Sequence, residues 1–283
     1  MKADTFQLAR DIVQGKWLVS NPEQLLPIAR AFLSKTPVEM EVKSAVVSTV
    51  ADSGAGADSG AGAGKAKSVA IVPLHGTMTK YDTCESYGTT FIANKLREMA
   101  DDENVIGIVL DIDSPGGSCS AIPPMLEAIS YAKAHRKPVY VHADCCASAA
   151  YWVASQCDAI YMDNDLSEVG SIGAMAVFVD NSATNPSNGE RTLVVYADES
   201  SEKNRAYREA LAGNFEAAKA ELKPLVEQFQ NAVVSGRPNI QKEEKGVLSG
   251  AMFGTAEALR LNMADAKKTL SETIEAVFAL TSV

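Results

Sequence analysis

Two short segments of this 283-residue chain combine hydroxyl groups with very small neighbours, a composition suited to covalent catalysis. The first is Ser114-Pro-Gly-Gly-Ser118, and the second is Ala147-Ser148-Ala149-Ala150. A serine hydroxyl attacks a carbonyl when a nearby base takes its proton, and backbone N–H groups can then hold the negative charge on the oxygen. The small residues around Ser148 leave room for a substrate to reach its hydroxyl.

Each segment also has a purely structural interpretation. The pair Gly116 and Gly117 suits a tight strand-to-helix turn as well as an anion-binding loop. The segment lacks the lysine of a P-loop and the third glycine of a dinucleotide-binding motif, so nucleotide binding is not indicated. Ser148 belongs to a residue type that commonly caps a helix N-terminus. From these segments alone, both interpretations stay open.

The choice of a base for Ser148 is narrow. All three histidines precede Ser148, and His142 lies six residues before it on a predicted strand, where a core position is the better interpretation. A Ser–His–Asp triad is therefore disfavoured, and a Ser–Lys pair is the alternative. Lysine works as a base only where burial lowers its pKa well below the ordinary value of about 10.4.

The predicted elements place both segments where a strand gives way to a helix. The nearly unbroken apolar run 105–112 is typical of a central strand covered on both faces, and it ends at the first segment. A strand over 138–143 leads to Ser148, and a helix over 148–156 follows. The alternation of strands and helices predicts an α/β fold with a largely parallel sheet, in which function collects where strands end.

The other predicted elements complete this pattern. Further strands are expected at 69–74, 159–162, 174–179 and 193–196, with a strand or turn at 247–253. Further helices are expected at 88–100, 121–134, 255–262 and 271–279. A long helical region over 202–234 is expected to break at Gly213-Asn214 and at Pro224.

Composition divides the chain into three predicted parts. Residues 1–50 are expected to form a helical N-terminal extension, with apolar residues at helical spacing over 6–13 and 25–33. Residues 51–67 hold the repeat Ala-Asp-Ser-Gly-Ala-Gly twice and are expected to form a flexible linker. Residues 68–283 are expected to form the α/β domain.

Charge and cysteine usage exclude several classes of protein. Lysine and arginine number 26 against 36 aspartates and glutamates, a net charge of −10, which disfavours a nucleic-acid or anionic-membrane binder. No apolar leader or stretch of 18 apolar residues is found, so we expect a cytoplasmic protein that does not span a membrane. Five cysteines without a CxxC pair indicate free thiols of a reducing compartment rather than a metal site.

Three ordered motifs and a C-terminal tail resemble the signal peptide peptidase A (SppA) serine peptidases of the ClpP/crotonase superfamily. They are Ile112-Asp-Ser-Pro-Gly-Gly-Ser118, Ala147-Ser-Ala-Ala-Tyr-Trp152, Val169-Gly-Ser-Ile-Gly173 and the tail Phe253–Asn262. The resemblance spans about 69–280 and implies a ClpP/crotonase-like fold of repeated ββα units. The lack of a membrane anchor points to soluble, prophage-encoded members that resemble head-maturation proteases.

The resemblance also implies roles for individual residues. Ser148 would be the nucleophile, and the N–H groups of Gly117 and Ala149 would form the oxyanion hole, with Gly116 setting the turn. Ser171 would orient a catalytic lysine.

The lysine is the main departure from the family pattern, since an ungapped alignment places its position at Ser200 or Ser201. Lys203 is the candidate, because no other lysine lies between 138 and 218. A solvated position at the start of a helix is the alternative for Lys203.

The resemblance therefore implies a serine endopeptidase with a Ser148–Lys203 dyad. It would need no cofactor or metal, bind polypeptides in extended form, assemble as a homo-oligomer and process phage capsid or scaffold proteins. One alternative is a crotonase-type hydratase or isomerase acting on acyl-CoA, although those enzymes usually present a carboxylate where this chain has Ser148. Another is a catalytically inactive assembly or scaffold protein.

Overall fold

The computed structural model describes residues 17–19, 47–51, 66–83, 86–178 and 196–280, the first of these ranges as backbone. The strands in these ranges are β1 (Trp17–Val19), β2 (Ser48–Ala51), β3 (Ser68–His75), β4 (Val105–Ser114), β5 (Gly116–Ser118), β6 (Val139–Ala147), β7 (Ala159–Met162), β8 (Glu168–Gly170), β9 (Met252–Gly254) and β10 (Ala266–Lys267). The α-helices are α1 (Thr89–Asp101), α2 (Ile122–Ala134), α3 (Ala149–Ser155), α4 (Arg205–Leu211), α5 (Glu216–Gly236), α6 (Thr255–Arg260) and α7 (Leu270–Ala279).

Eight of these strands form one sheet. Its order is β10-β7-β6-β4-β3-β2, and the end of β6 also pairs with β8, which pairs with β9. The pairs β2–β3 and β8–β9 are antiparallel, whereas every other pair in this sheet is parallel. The sheet confirms the predicted α/β fold with largely parallel strands.

The central strand β4 is covered on both faces, as its unbroken apolar sequence predicts. Ile108, Leu110 and Ile112 belong to the main core, which the sheet shares with α1, α2 and α3. Val109 points to the opposite face and packs with Ile274 of α7 in a second, smaller core. Burial on two sides explains why β4 lacks the alternation of a half-exposed strand.

Two aromatic side chains fix α3, the helix that begins directly after Ser148. The ring of Trp152 stacks on that of Phe229 from α5, with centroids 4.8 Å apart and planes 10° apart. The buried Tyr151 hydroxyl donates a hydrogen bond to the carbonyl of Met263, at 2.9 Å. These contacts anchor α3 to the C-terminal part of the chain.

The long helical region agrees with the sequence in one of its two predicted breaks. The break at Gly213-Asn214 separates α4 from α5, as predicted. The expected break at Pro224 is wrong, because α5 continues through this residue. Pro224 and Ala220 are both exposed, so water can satisfy the Ala220 carbonyl that the proline leaves without a partner. Of the helices described here, none is both long and apolar enough to cross a membrane.

The strand predicted over 174–179 is not formed in the described part, 174–178. These residues lack a strand and hold only a single bridge, at Met175. Most of them are half-buried rather than buried, so the run is not covered on both faces as β4 is. Of the strand predicted over 193–196, only Tyr196 is described, and it lies outside any strand.

Where the structure describes residues 1–50, it shows strands. The helices predicted over 6–13 and 25–33 lie outside the described residues. By contrast, β2 pairs with β3 and β1 pairs with β5. The sheet therefore takes in residues that precede the predicted linker, and removal of residues 1–67 would strip β3 of its edge neighbour.

The stacked pair predicts how strongly α5 supports the fold. Phe229→Ala should lower the free energy of unfolding by about 3–5 kcal/mol, since it leaves a cavity against Trp152. The control variant Leu166→Ala changes a residue that is 89% exposed, and it should stay within about 0.5 kcal/mol of the parent. Urea unfolding followed by circular dichroism measures both, and equal stabilities would contradict the packing described.

Candidate active site

Ser148 has an unusual backbone conformation at the junction of β6 and α3. Its φ is 55° and its ψ is −118°, a region that residues with a side chain rarely occupy. Two hydrogen bonds hold it there: its N–H donates to the Gly170 carbonyl at 2.8 Å, and its carbonyl accepts from the N–H of Trp152 at 3.0 Å. Such conformations cost about 1–3 kcal/mol and concentrate at functional sites.

The Ser148 hydroxyl does not serve as a helix cap. Its side chain makes no capping hydrogen bond to α3 and, among the described residues, no other hydrogen bond. The residue is also buried, with 1% of its surface exposed. The N-cap interpretation is therefore not supported. As the first helical residue, Ala149 has no acceptor for its N–H within the helix, so this group is available to an oxyanion.

The glycine loop lies next to this helix, because α3 packs against β5. The Met78 N–H donates to the Gly116 carbonyl, and the Ser118 N–H donates to the Met78 carbonyl, each at 2.8 Å. A Cβ at Gly117 would lie 2.0 Å from the Met78 carbonyl oxygen, so no larger residue fits. Since Gly116 and Ser118 use these groups on the Met78 side, the N–H of Gly117 faces the opposite side of β5.

Ser114 holds the same loop, a role that the sequence did not reveal. Its hydroxyl donates to the Gly76 carbonyl at 2.6 Å and accepts from the Gly116 N–H at 3.2 Å. Gly116 itself has a φ of 95°, which glycine adopts without strain. The signal available in the sequence was the position of Ser114, directly before the Pro-Gly-Gly turn.

The third motif runs beside Ser148. Gly170 pairs with Ala147 on β6 and with Met252 on β9, and its carbonyl receives the Ser148 N–H. Ser171 follows with a φ of 55°, and its N–H donates to the Ala251 carbonyl at 2.8 Å. The structure thus brings Ser171 into the neighbourhood of Ser148.

Lys203 is placed differently. It lies in the exposed turn 201–204 before α4, and its N–H donates to the Ser200 carbonyl at 3.0 Å. Among the described residues, its Nζ makes no hydrogen bond or ion pair. The neighbouring Glu202 carboxylate pairs with Arg205 at 3.0 Å. The structure shows no contact between Lys203 and Ser148, so their pairing stays a prediction.

His142 belongs to a polar cluster on the sheet. Its Nδ1 lies 2.7 Å from Asp111, its Nε2 lies 3.0 Å from Asp163, and His75 contacts the same Asp111 at 3.0 Å. Burial alone would lower the pKa of His142, but the two carboxylates outweigh burial and raise it. Burial would likewise raise the pKa of Asp111, yet its two histidine partners hold it below its ordinary value. With both ring nitrogens engaged, His142 acts as a core residue and is not free to serve Ser148.

The cysteines near the site are not activated. Burial raises the pKa of Cys145 to about 11 and that of Cys157 to about 12, and it raises the pKa of Cys146 well above its ordinary value. These thiols therefore stay protonated at neutral pH. No group of histidine, cysteine, aspartate and glutamate suited to holding a metal ion occurs among the described residues.

Comparison with known proteins gives one family and one curated relative. Residues 131–283 match the model of peptidase family S49. Over 112 residues the chain is 33% identical to "Protease 4" of Haemophilus influenzae. The matched residues make up 39% of this chain and 18% of that protein. The chain thus spans less than a fifth of the length of this relative.

Solved structures give distant similarities. Two variants of the 1510-N membrane-bound stomatin-specific protease, one of them in complex with a substrate peptide, are each 16% identical with a TM-score of 0.40. They cover 71% and 72% of this chain, which covers 80% and 76% of theirs. A putative enoyl-CoA hydratase/isomerase from Legionella pneumophila is 13% identical with a TM-score of 0.40, covering 76% of this chain and 71% of its own.

The histidine cluster predicts a specific pH dependence of stability. Because folding raises the pKa of His142, its contribution is fully present below about 6.5 and is lost as pH rises through the raised value. The free energy of unfolding should therefore fall above about pH 6.5 in the parent. His142→Gln should weaken this fall and cost about 1–3 kcal/mol near pH 6, whereas His135→Gln, at an exposed position, should leave the slope unchanged. Urea titrations from pH 5 to 9 test this, and identical slopes in the parent and His142→Gln would refute it.

Proposed function

We propose, from the premise that the chain belongs to peptidase family S49, that it is a serine endopeptidase with Ser148 as nucleophile and Lys203 as base. The observation that carries the proposal is the conformation of Ser148. A buried serine is held at positive φ, its hydroxyl is not used by the helix that it precedes, and the glycine loop lies next to that helix. A structural cap would use its hydroxyl on the helix and would not need the strain.

The proposed reaction proceeds in two halves. The neutral amine of Lys203 takes the Ser148 proton as the hydroxyl oxygen bonds to the carbonyl carbon of the scissile peptide. The N–H groups of Gly117 and Ala149 hold the resulting oxyanion. The carbon–nitrogen bond then breaks as the leaving amine takes this proton from protonated Lys203. Lys203 next takes a proton from water as the water oxygen bonds to the acyl carbon, and it returns this proton to Ser148 as the ester bond breaks. Ser171 would hold the lysine amine in line.

The proposal requires the turn that carries Lys203 to approach the site. Catalytic partners need a heavy-atom separation of about 2.6–3.2 Å and are often further apart before substrate binds. One contact supports this approach: the rings of Phe178 and Tyr207 lie 6.1 Å apart, so the segment after Ser171 lies beside the helix after Lys203.

The two alternatives make different demands on the same residues. A crotonase-type hydratase or isomerase would usually use a carboxylate at the position of Ser148, and it would bind acyl-CoA. An inactive scaffold protein would not need a serine whose backbone is strained and whose hydroxyl does not cap the helix. These demands favour the peptidase over both alternatives. The resemblance also implies a cytoplasmic location, and it implies phage capsid or scaffold proteins as substrates. Co-expression with such a protein tests the substrate, which should be cleaved.

We also propose a homo-oligomer. The helix α4 and the loop after it expose three large apolar side chains, Tyr207 at 38%, Leu211 at 44% and Phe215 at 50%. A second copy of the chain could cover this face. Light scattering at micromolar concentration should give a mass above the monomer's 30.0 kDa, and a monomer would overturn this part of the proposal.

Activity of variants tests the dyad. With unfolded casein as substrate, Ser148→Ala and Lys203→Ala should each abolish cleavage to a similar extent, since members of one catalytic unit fail together. The exposed residues Ser249 and Lys219 offer matched controls, and their alanine variants should keep parental activity. His142→Ala should lose stability at most. Retained activity in Lys203→Ala, with loss in His142→Ala, would make the dyad assignment wrong.

A further inference from the structure

The strand β1 lies on the glycine loop of the candidate active site. It pairs antiparallel with β5, so that Trp17 lies opposite Ser118, Leu18 opposite Gly117 and Val19 opposite Gly116. The other side of β5 is already bridged to Met78. The chain's own N-terminal region therefore covers the edge of β5 that Met78 leaves open.

The register identifies which groups are paired. Gly116 and Ser118 use their carbonyl and N–H on the Met78 side, so both polar groups of Gly117 face β1. Leu18 and Gly117 are then the hydrogen-bonded pair of this antiparallel ladder, in which each N–H donates to the other residue's carbonyl. The Gly117 N–H, the proposed oxyanion donor, thus points at the Leu18 carbonyl.

An extended peptide substrate would need the same edge. Peptides commonly bind by adding a strand to a free sheet edge, where main-chain hydrogen bonds supply the affinity. The reacting carbonyl would also have to face the Gly117 N–H, which β1 engages. One edge cannot pair with β1 and with a substrate at the same time.

We propose that β1 binds the peptide-binding edge of β5 as a substrate would, with its Leu18 carbonyl on the Gly117 N–H, and that substrates bind by displacing it. The role given to Gly117 in catalysis rests on the proposed function, whereas the docking of β1 rests on the strand pairing alone.

The expected strength of this competition is moderate. A three-residue ladder is short, and such pairings are marginal without further packing. The segment is, however, part of the same chain, since residues 20–47 connect β1 to β2. Because this pairing lies within one chain, β1 competes with a substrate at every protein concentration.

A pair of proline variants tests the docking. Leu18→Pro removes the N–H that donates to the Gly117 carbonyl, whereas the N–H of Val19 faces away from β5, so Val19→Pro keeps the ladder bonds. In a Ser148→Ala background, hydrogen–deuterium exchange of a fragment spanning 114–120 should speed up in Leu18→Pro and stay at the parental rate in Val19→Pro. Equal exchange in all three proteins would overturn the docking of β1.

Kinetics of the same two substitutions, with Ser148 intact, test the competition. For casein, Leu18→Pro should lower KM by about threefold or more and leave kcat unchanged, because the substrate no longer has to displace β1. Val19→Pro should match the parent. An unchanged KM, or a loss of activity in Leu18→Pro, would overturn the competition. If the parent cleaves nothing while its exchange still responds to Leu18→Pro, the proposed function fails and the docked strand stands.

Discussion

The candidate site depends on two hydrogen bonds to the backbone of Ser148. They hold the residue at positive φ between the carbonyl of Gly170 and the N–H of Trp152. The strain of about 1–3 kcal/mol persists only because the surroundings fix both ends of the residue. On one side, β8 pairs with β6 and β9 and presents the Gly170 carbonyl. On the other, Phe229 stacks on Trp152 and keeps α3 in place. This geometry costs stability, and in it the Ser148 hydroxyl takes no part in the hydrogen bonding of α3.

The glycine loop depends on an equally local constraint, the close approach of Met78. This residue bonds to both ends of β5 and leaves no space for a Cβ at Gly117. As a result the Gly117 N–H is directed away from the sheet neighbour and towards the open edge. The same constraint that directs the proposed oxyanion donor also creates an edge for strand pairing, and β1 occupies that edge. The proposed oxyanion donor and its proposed obstruction by β1 thus both depend on one feature of the backbone.

Elements with a strong local pattern were predictable, whereas elements that depend on distant partners were not. The apolar run of β4 and the junction at Ser148 follow from sequence, because burial on both faces and small residues at a strand end leave clear signals. Pro224 was expected to end a helix, and solvent exposure lets the helix continue. The apolar run 174–178 was expected to be a strand, yet most of it is only half-buried and it holds a single bridge. The pairing of β1 with Gly116–Ser118 joins segments about a hundred residues apart, and residues 17–19 alone do not predict it.

Covalent labelling identifies directly which serine is the nucleophile. The purified protein is treated with a fluorophosphonate probe, which reacts readily only with an activated serine, and the modified peptide is identified by mass spectrometry. We expect a single adduct on Ser148 that is absent from Ser148→Ala. An adduct on another serine, or no adduct in a protein that cleaves casein, would contradict it.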